Sequence, residues 1–360
     1  MKSMHWRSSE GNLKYPVLLL LSGLFFFGCS ADITYYEIPL EFKNPQKKKD
    51  FYDNYSKFLT GKKIFLDPGH GGDDRKNVGP QKLTVEADAN LNVALALRDF
   101  LTEAGVEVIM SRDKDVSVDL KERSYMANRS GAEIFVSIHH NAPGAGGDQS
   151  INYTSTYYHA KESDYEYEPC ERDLARFVQR DLAYAMRNSG GLGSFDGTYS
   201  DYLIYPGAGF SVLRLTIIPA ILIEGGFFTN FHEERRLALD EFNKIQAWGI
   251  FRGIARYYSA GIPSISYMLS QSVFNYNSVD LKYLLEDSTG INSESIKVYV
   301  DSTRTKDFRF DENTGELSLS LGTLEAGHHI IRISAANGKG NYAFLFNHEI
   351  IIQEEIEQKK

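Results

Sequence analysis

The sequence predicts an α/β domain, built on a twisted, mostly parallel or mixed sheet flanked by helices, followed by a small all-β sandwich. Three observations carry that prediction. Between Lys62 and Tyr258, short apolar runs alternate with segments whose apolar residues recur at helical spacing, the signature of strands joined by helices. After about Gly261 the period changes to two, with turn signals between the runs. The 360 residues provide for two domains of about 150 residues each. A content of 42% hydrophobic and 24% charged residues excludes disorder as the general state.

Ile64-Phe65-Leu66 is the first strand, and it runs into Asp67-Pro68-Gly69-His70-Gly71-Gly72, whose glycines allow positive φ and close approach to a ligand. Residues 86–104 carry Leu91, Ala94, Leu95, Leu97 and Leu101 at helical spacing, and Gly105 stops that helix. Val106–Met110 is a strand. Asp119 with Glu122 makes a capping box for a helix running to about Ser130, where Gly131 ends it. Ile134–Ile138 and Thr154–Tyr158 are strands, and Glu171–Asn188 is a helix ending at Gly190-Gly191. Ala220–Ile223 is a buried strand after Pro219, and His232–Tyr258 is a long final helix. In the β region Ile296, Val298 and Val300 alternate with polar residues, as do Leu317, Leu319 and Leu321, Ile331 and Ile333, and Phe344 and Phe346. Asn313-Thr314-Gly315 and Asn337-Gly338 are turns between them. The plan is an α/β domain over 61–259, a β-sandwich over 262–353 and a charged tail over 354–360.

Lys2, Arg7 and Lys14 precede the apolar run from Pro16 to Phe27, the layout of a secretory signal too short to span a bilayer. Residues 1–28 are therefore assigned to a signal peptide, and the protein to the periplasm or cell envelope. Phe26-Phe27-Gly28-Cys29 resembles the lipobox of bacterial lipoproteins, in which the cysteine is acylated. Phe26 and Phe27 depart from the usual leucine and small residue, which leaves plain secretion open. Residues 29–60 mix tyrosines with Lys47-Lys48-Lys49 and read as a tether. A net charge of −9 with no basic domain argues against a nucleic-acid partner. Cys29 and Cys170 can build neither a disulfide framework nor a thiolate zinc site. Cys170, among Glu166, Glu168 and Glu171, reads as an inert thiol.

His70, Glu86, His139 and Glu224 stand where strands or turns meet loops, and the carboxyl ends of strands are where α/β sheets form ligand sites. Two histidines and a carboxylate are a ligand set for catalytic zinc, with a fourth position for water; the remaining carboxylate is then a candidate general base. Each residue alone has a plainer role. Glu86 could complement a helix dipole, His70 could bond the backbone, and Glu224 could be a solvated carboxylate.

Together these motifs resemble the zinc-dependent N-acetylmuramoyl-L-alanine amidases of bacterial cell-wall turnover, over roughly Lys62 to Tyr258. The matching residues are the DPGHGG turn, Glu86 opening a helix, Ser137–Ala142, and Ile223-Glu224-Gly225-Gly226-Phe227-Phe228-Thr229-Asn230, with Ser211-Val212-Leu213-Arg214 shortly before. The resemblance implies Zn2+ held by His70, Glu86 and His139, with Glu224 catalytic. It implies hydrolysis of the amide between N-acetylmuramic acid and L-alanine in peptidoglycan. It selects His139 over His140, where the family usually has a small or apolar residue; adjacent strand residues point to opposite sides, so one of the pair faces the metal. Asp67 reads as a turn-stabilising group. Arg214 either holds a carboxylate of the peptide stem or pairs with a surface acid. His328-His329 reads as a solvated turn. The rival readings are another zinc peptidase acting on cell-wall peptides and a non-catalytic wall-binding protein; four intact groups oppose the second. The β region resembles bacterial immunoglobulin-like modules, which bind sugars or proteins or act as spacers. That leaves room for a protein activator or wall partner, beside a membrane contact through the lipid anchor.

Overall fold

A computed structural model of the protein describes residues 34–144, 147–188, 196–275 and 278–353, all within one unit of the chain. The signal peptide, Cys29 and the charged tail lie outside the described residues. Two helices come first, α1 (Leu40–Lys43) and α2 (Pro45–Leu59). The α/β region follows as β1 (Lys63–Pro68), α3 (Glu86–Glu103), β2 (Glu107–Met110), α4 (Leu120–Ser130), β3 (Ile134–Asn141), β4 (Ser155–Tyr158) and α5 (Pro169–Met186). It closes with β5 (Thr198–Ser200), α6 (Ser211–Arg214), β6 (Ala220–Phe227), α7 (Phe231–Leu237) and α8 (Asp240–Ser259).

The sheet has the order β2-β1-β3-β6-β4-β5. All neighbours are parallel except β4, which runs against β6, so the sheet is mixed. The central strands read as near-continuous apolar runs because both faces are covered. On one face Ile64, Leu66, Val136, Ile138, Ile221 and Ile223 meet the apolar sides of α3, α5 and α8. On the other, Phe65, Phe135, Tyr157 and Leu222 meet Ala127 of α4 and Val212 and Leu213 of α6.

The tether expected over 29–60 is not what residues 45–59 form. Pro45 starts α2 at a position where its missing N–H costs nothing, and Asn44 Oδ1 accepts from Gln46 N at 3.0 Å and Lys47 N at 3.3 Å. Phe51, Tyr52 and Leu59 are buried in the α/β core. Phe51 lies 5.3 Å from the Trp248 ring, and Tyr52 lies 5.2 Å from Phe251. Within the run Lys47-Lys48-Lys49, Lys48 spreads its ammonium over aromatic faces, 5.2 Å from Phe100. The stripe at 51, 52, 55 and 59 is short and flanked by charge, so its helical period is weak until α8 supplies a partner.

Three smaller departures have local causes. The long helix expected over 232–258 is two, because Leu239 is extended (φ −100°, ψ 122°) and Asp240 and Glu241 open α8 at its positive end. α5 stops at Met186 because Arg187 turns left-handed at φ 59°. His328 and His329 are not in a turn but in a strand of the second region, where they pair with Glu349 and Asp301.

That region folds as β7 (Ser264–Tyr267), β8 (Val273–Asn275), β9 (Ser278–Glu286), β10 (Ile291–Val300), β11 (Thr303–Thr305), β12 (Phe308–Asp311), β13 (Glu316–Leu321), β14 (Gly327–Asn337) and β15 (Phe346–Ile352). Two antiparallel sheets result, β11-β10-β14-β15 and β12-β13-β9-β7, with β8 on β9. Val298, Ile331 and Ile333 from one sheet and Leu281, Tyr283, Leu317 and Leu319 from the other share a core, so the period of two is that of a sandwich.

The sandwich is bonded to the α/β region. Asn337 Nδ2 donates to Ala260 O at 3.0 Å and to Gly261 O at 3.2 Å, and Tyr342 N donates to Asp173 on α5 at 2.9 Å. Burial raises the Asp173 carboxyl to about 6 although the Tyr342 bond opposes it. A carboxyl raised on folding takes up a proton, so its contribution to stability falls as pH rises from its unfolded value through about 6. The melting temperature should therefore drop less between pH 5 and pH 7.5 in Asp173→Asn than in the wild type. Calorimetry at the two pH values measures this, and parallel pH profiles would remove Asp173 from the account.

Candidate metal and catalytic site

Residues paired in register across a sheet share a face, so β1, β3, β6 and β4 arrange their side chains in rows. Asp67 pairs with Ser137 in one row. One step further along, His139 pairs with Glu224, and Glu224 with Ser155. Gly69 N donates to Ile138 O at 3.0 Å, which carries the end of β1 alongside the same row. A Cβ on Gly69 would lie 2.1 Å from His139 Cε1, so the imidazole fills the space any other side chain at 69 would need.

After Gly69 the chain turns through three residues of positive φ: His70 at 58°, Gly71 at 119° and Gly72 at 59°. A left-handed non-glycine residue costs about 1–2 kcal/mol. Contacts around the turn hold it. Arg123 Nη2 donates to His70 O at 2.9 Å, and Arg112 Nη2 to Gly69 O at 2.8 Å. Asp67, fully buried, accepts from Arg123 at 2.6 Å, from Ser111 Oγ at 2.6 Å and from Ser137 Oγ at 2.9 Å. Asp67 is thus the turn-stabilising group the sequence suggested.

The turn sets the His70 ring 5.0 Å from the His139 ring. Glu86, at the start of α3, reaches both: Oε2 is 3.2 Å from His70 Nε2, and Oε1 is 3.1 Å from His139 Nδ1. One ligand atom from each of the three lies within 4.8 Å of the others. Asp74 Oδ2 sits 2.7 Å from His70 Nδ1, which orients the ring with Nε2 toward Glu86. Burial opposes protonation of His70, but Glu86 and Asp74 together raise it to about 9. Burial likewise opposes ionisation of Glu86, yet hydrogen bonds with His139 and His70 hold its carboxyl well below the usual range. Asn77 Nδ2 donates to Glu86 Oε2 at 2.6 Å, and Asn90, one helical turn on, donates to Oε1 at 3.3 Å. Two imidazoles and an ionised carboxylate converging on one point are the donor chemistry of a catalytic zinc site.

Glu224 faces the same side. Its Oε2 is shut from solvent and has no hydrogen-bond partner. Burial first, and the Glu86 charge second, push its carboxyl well above the usual range. His70, His139, Glu224, Arg123 and Arg214 line one cleft of about 700 Å³. Arg214 lies on the cleft wall and donates to Ala208 O.

His140 points the other way. It is buried under the sheet with Nδ1 2.7 Å from Asn90 Oδ1 and Nε2 2.9 Å from the Gln246 side-chain amide. Burial lowers it to about 4, so it is a neutral core group. Cys170 is 1% exposed, and burial with nearby Glu168 and Glu171 pushes its thiol well up, as expected of an inert residue. Sequence reasoning missed Asp74, Asn77, Asn90, Arg112 and Arg123. Asn90 carries a signal, standing four residues after Glu86 on one helix face. The arginines carry none, since they act from α4 and from the loop after β2.

The α/β sheet thus carries a three-donor cluster with a second carboxylate, Glu224, in the same row as His139, an arrangement suited to metal-assisted hydrolysis. A family model described as N-acetylmuramoyl-L-alanine amidase matches residues 64–256, and the chain belongs to that family of peptidoglycan hydrolases. The germination-specific N-acetylmuramoyl-L-alanine amidase of Bacillus subtilis is 31% identical over 61% of this chain and 89% of its own length. The sporulation-specific amidase of the same organism is 31% identical over 55% of this chain and 68% of its own. Among solved structures, an N-acetylmuramoyl-L-alanine amidase from Clostridium difficile 630 is 30% identical, covering 56% of this chain and 98% of that one, with a TM-score of 0.48.

Two substitutions test this geometry. Gly69→Ala should displace the His139 ring and lower activity by about 10²-fold, with metal content reduced, while circular dichroism stays native. Unchanged metal content and activity would refute the packing argument. Arg123→Ala strands a buried Asp67 and should lower stability by about 3–5 kcal/mol in denaturant titration.

Proposed function

We propose that this amidase is zinc-dependent, with the ion held by His70, Glu86 and His139, and that Glu224 is its general base and acid. The bond cleaved is the amide between the lactyl group of N-acetylmuramic acid and L-alanine. The observation that carries the assignment is the row that sets Glu224 beside His139, with the three donors gathered next to it. A zinc ion held there would supply Lewis acidity near neutral pH and would oppose the Glu86 charge, the smaller of the two causes, after burial, that raise Glu224. Glu224 takes the proton of the attacking water and delivers it to the leaving amine; its uncommitted Oε2 suits both tasks. Arg214 offers the stem peptide a positive charge at the cleft wall.

The proposal extends to place and partners. The substrate lies outside the cytoplasmic membrane, so export by residues 1–28 and acylation of Cys29 would keep the enzyme near it. No described helix is long and apolar enough to cross a membrane. A wall or activator protein on the sandwich is a further part of the proposal.

Glu224→Gln should retain zinc and lose about 10²–10⁴-fold in rate, whereas His70→Ala should lose the metal. Elemental analysis with steady-state kinetics separates the two, and a Glu224→Gln protein without zinc would make Glu224 a ligand. Mass spectrometry of digested peptidoglycan should find free stem peptides beginning with L-alanine. New reducing sugar ends, or new amines within the peptides, would favour a glycosidase or an endopeptidase instead.

A further inference from the structure

Part of the cleft is lined by Tyr205, Ala208, Gly209 and Phe210, which belong to no strand or helix. What holds this segment is Asp201, fully buried. Its carboxylate accepts from Phe210 N at 2.8 Å, from Ala160 N at 3.1 Å and from His159 Nδ1 at 2.9 Å. A Cβ on Gly209 would lie 2.1 Å from Asp201 Oδ2, so the segment is drawn tightly onto that carboxylate. Beside Asp201, the Tyr202 hydroxyl donates to Glu166 Oε2 at 2.9 Å. Glu166 stands between Tyr165 and Tyr167, and both of those carbonyls accept from the guanidinium of Arg332, Tyr167 O at 3.0 Å. The same guanidinium lies 4.8 Å from the Tyr165 ring. Arg332 is on β14 of the sandwich and is 8% exposed.

We propose that the β-sandwich braces the cleft segment 204–210 through Arg332, so that it sets substrate affinity while the α/β sheet supplies the chemistry. The route is Arg332 to the 165–167 backbone, Glu166 to Tyr202, and Asp201 to Phe210. A guanidinium suits this position because its rigid fork donates to two carbonyls at once and its face stacks on a ring. Further hydrogen bonds from the sandwich, by Asn337, Asn341 and Tyr342, end on Ala260, Gly261 and Asp173, none of which lines this cleft. Arg332 is therefore a positioning residue, acting through the loop it fastens. Its effect on affinity rests on the amidase reading of the cleft; its effect on the segment does not.

The test uses the full chain with Arg332→Ala and, as a milder break in the same route, Tyr202→Phe. Two measurements are made on each: hydrogen exchange of the 203–210 peptides without substrate, and kinetics on a soluble N-acetylmuramoyl peptide. Exchange at 203–210 should quicken in both variants. KM should rise about ten-fold with kcat within about two-fold, the pattern of lost binding common to ground and transition states. Bound zinc should be unchanged. Exchange that stays at the wild-type rate in both variants overturns the brace, whatever the activity. Quickened exchange with an unaltered KM overturns its role in affinity. A wild type with no amidase activity, but with quickened exchange in the variants, overturns the amidase reading and supports the brace.

Discussion

The buried pair of Asp67 and Arg123 is the interaction on which the site depends. A buried carboxylate and guanidinium are costly unless every remaining donor and acceptor is satisfied. Here they are well supplied. Asp67 accepts from Arg123, Ser111 and Ser137, and Arg123 donates onward to Pro68 O and His70 O. The pair fastens α4 to the end of β1 and fixes the backbone just where it must enter three consecutive positive-φ residues. Arg112 on Gly69 O and Asp115 on Gly72 N complete the hold on the turn that carries His70.

Above the clamp, the charges of the site are organised around Glu86. Glu86 is kept ionised by His139 and His70 despite its burial, and its charge in turn helps keep Glu224 protonated. The two carboxylates are thereby driven apart, Glu86 held ionised by two imidazoles and Glu224 raised chiefly by burial. His70 is raised, against its burial, because the Glu86 and Asp74 carboxylates both face it. A hydrogen bond from His70 to Asp74, and those from Asn77 and Asn90 to Glu86, hold these groups in place.

The sheet divides labour between its faces. His139 and His140 are neighbours in sequence, yet one faces the cleft and the other is sealed against Asn90 and Gln246. Asn90 links the two sides, since its amide bonds Glu86 on the site and its carbonyl oxygen accepts from His140 in the core. Packing of α3 and α8 is therefore felt by Glu86. The wall of the cleft has a different origin, in a loop tied to Asp201 and, through Arg332, to the sandwich.

Strand order aside, much of this was legible in the sequence. Ile64–Leu66, Ile134–Ile138 and Ala220–Ile223 are apolar enough to name buried strands, and a period of two named the sandwich. His70, Glu86, His139 and Glu224 could be picked out because each follows or opens an element whose pattern is strong. What the sequence could not yield were groups whose role depends on meeting something far away in the chain. The stripe on α2 has meaning only against Trp248 and Phe251; Gly69 is needed only because the His139 ring arrives above it; Arg123 and Arg332 act on carbonyls 53 to 167 residues distant. By itself the sequence determined the fold class and the central strands of the α/β sheet, and singled out the four polar residues proposed for the site, because periodicity and turn chemistry are local. Only the tertiary structure decided which neighbour faces the cleft, what clamps the turn and what holds the wall, because register, close approach and buried hydrogen bonds exist only once distant segments meet.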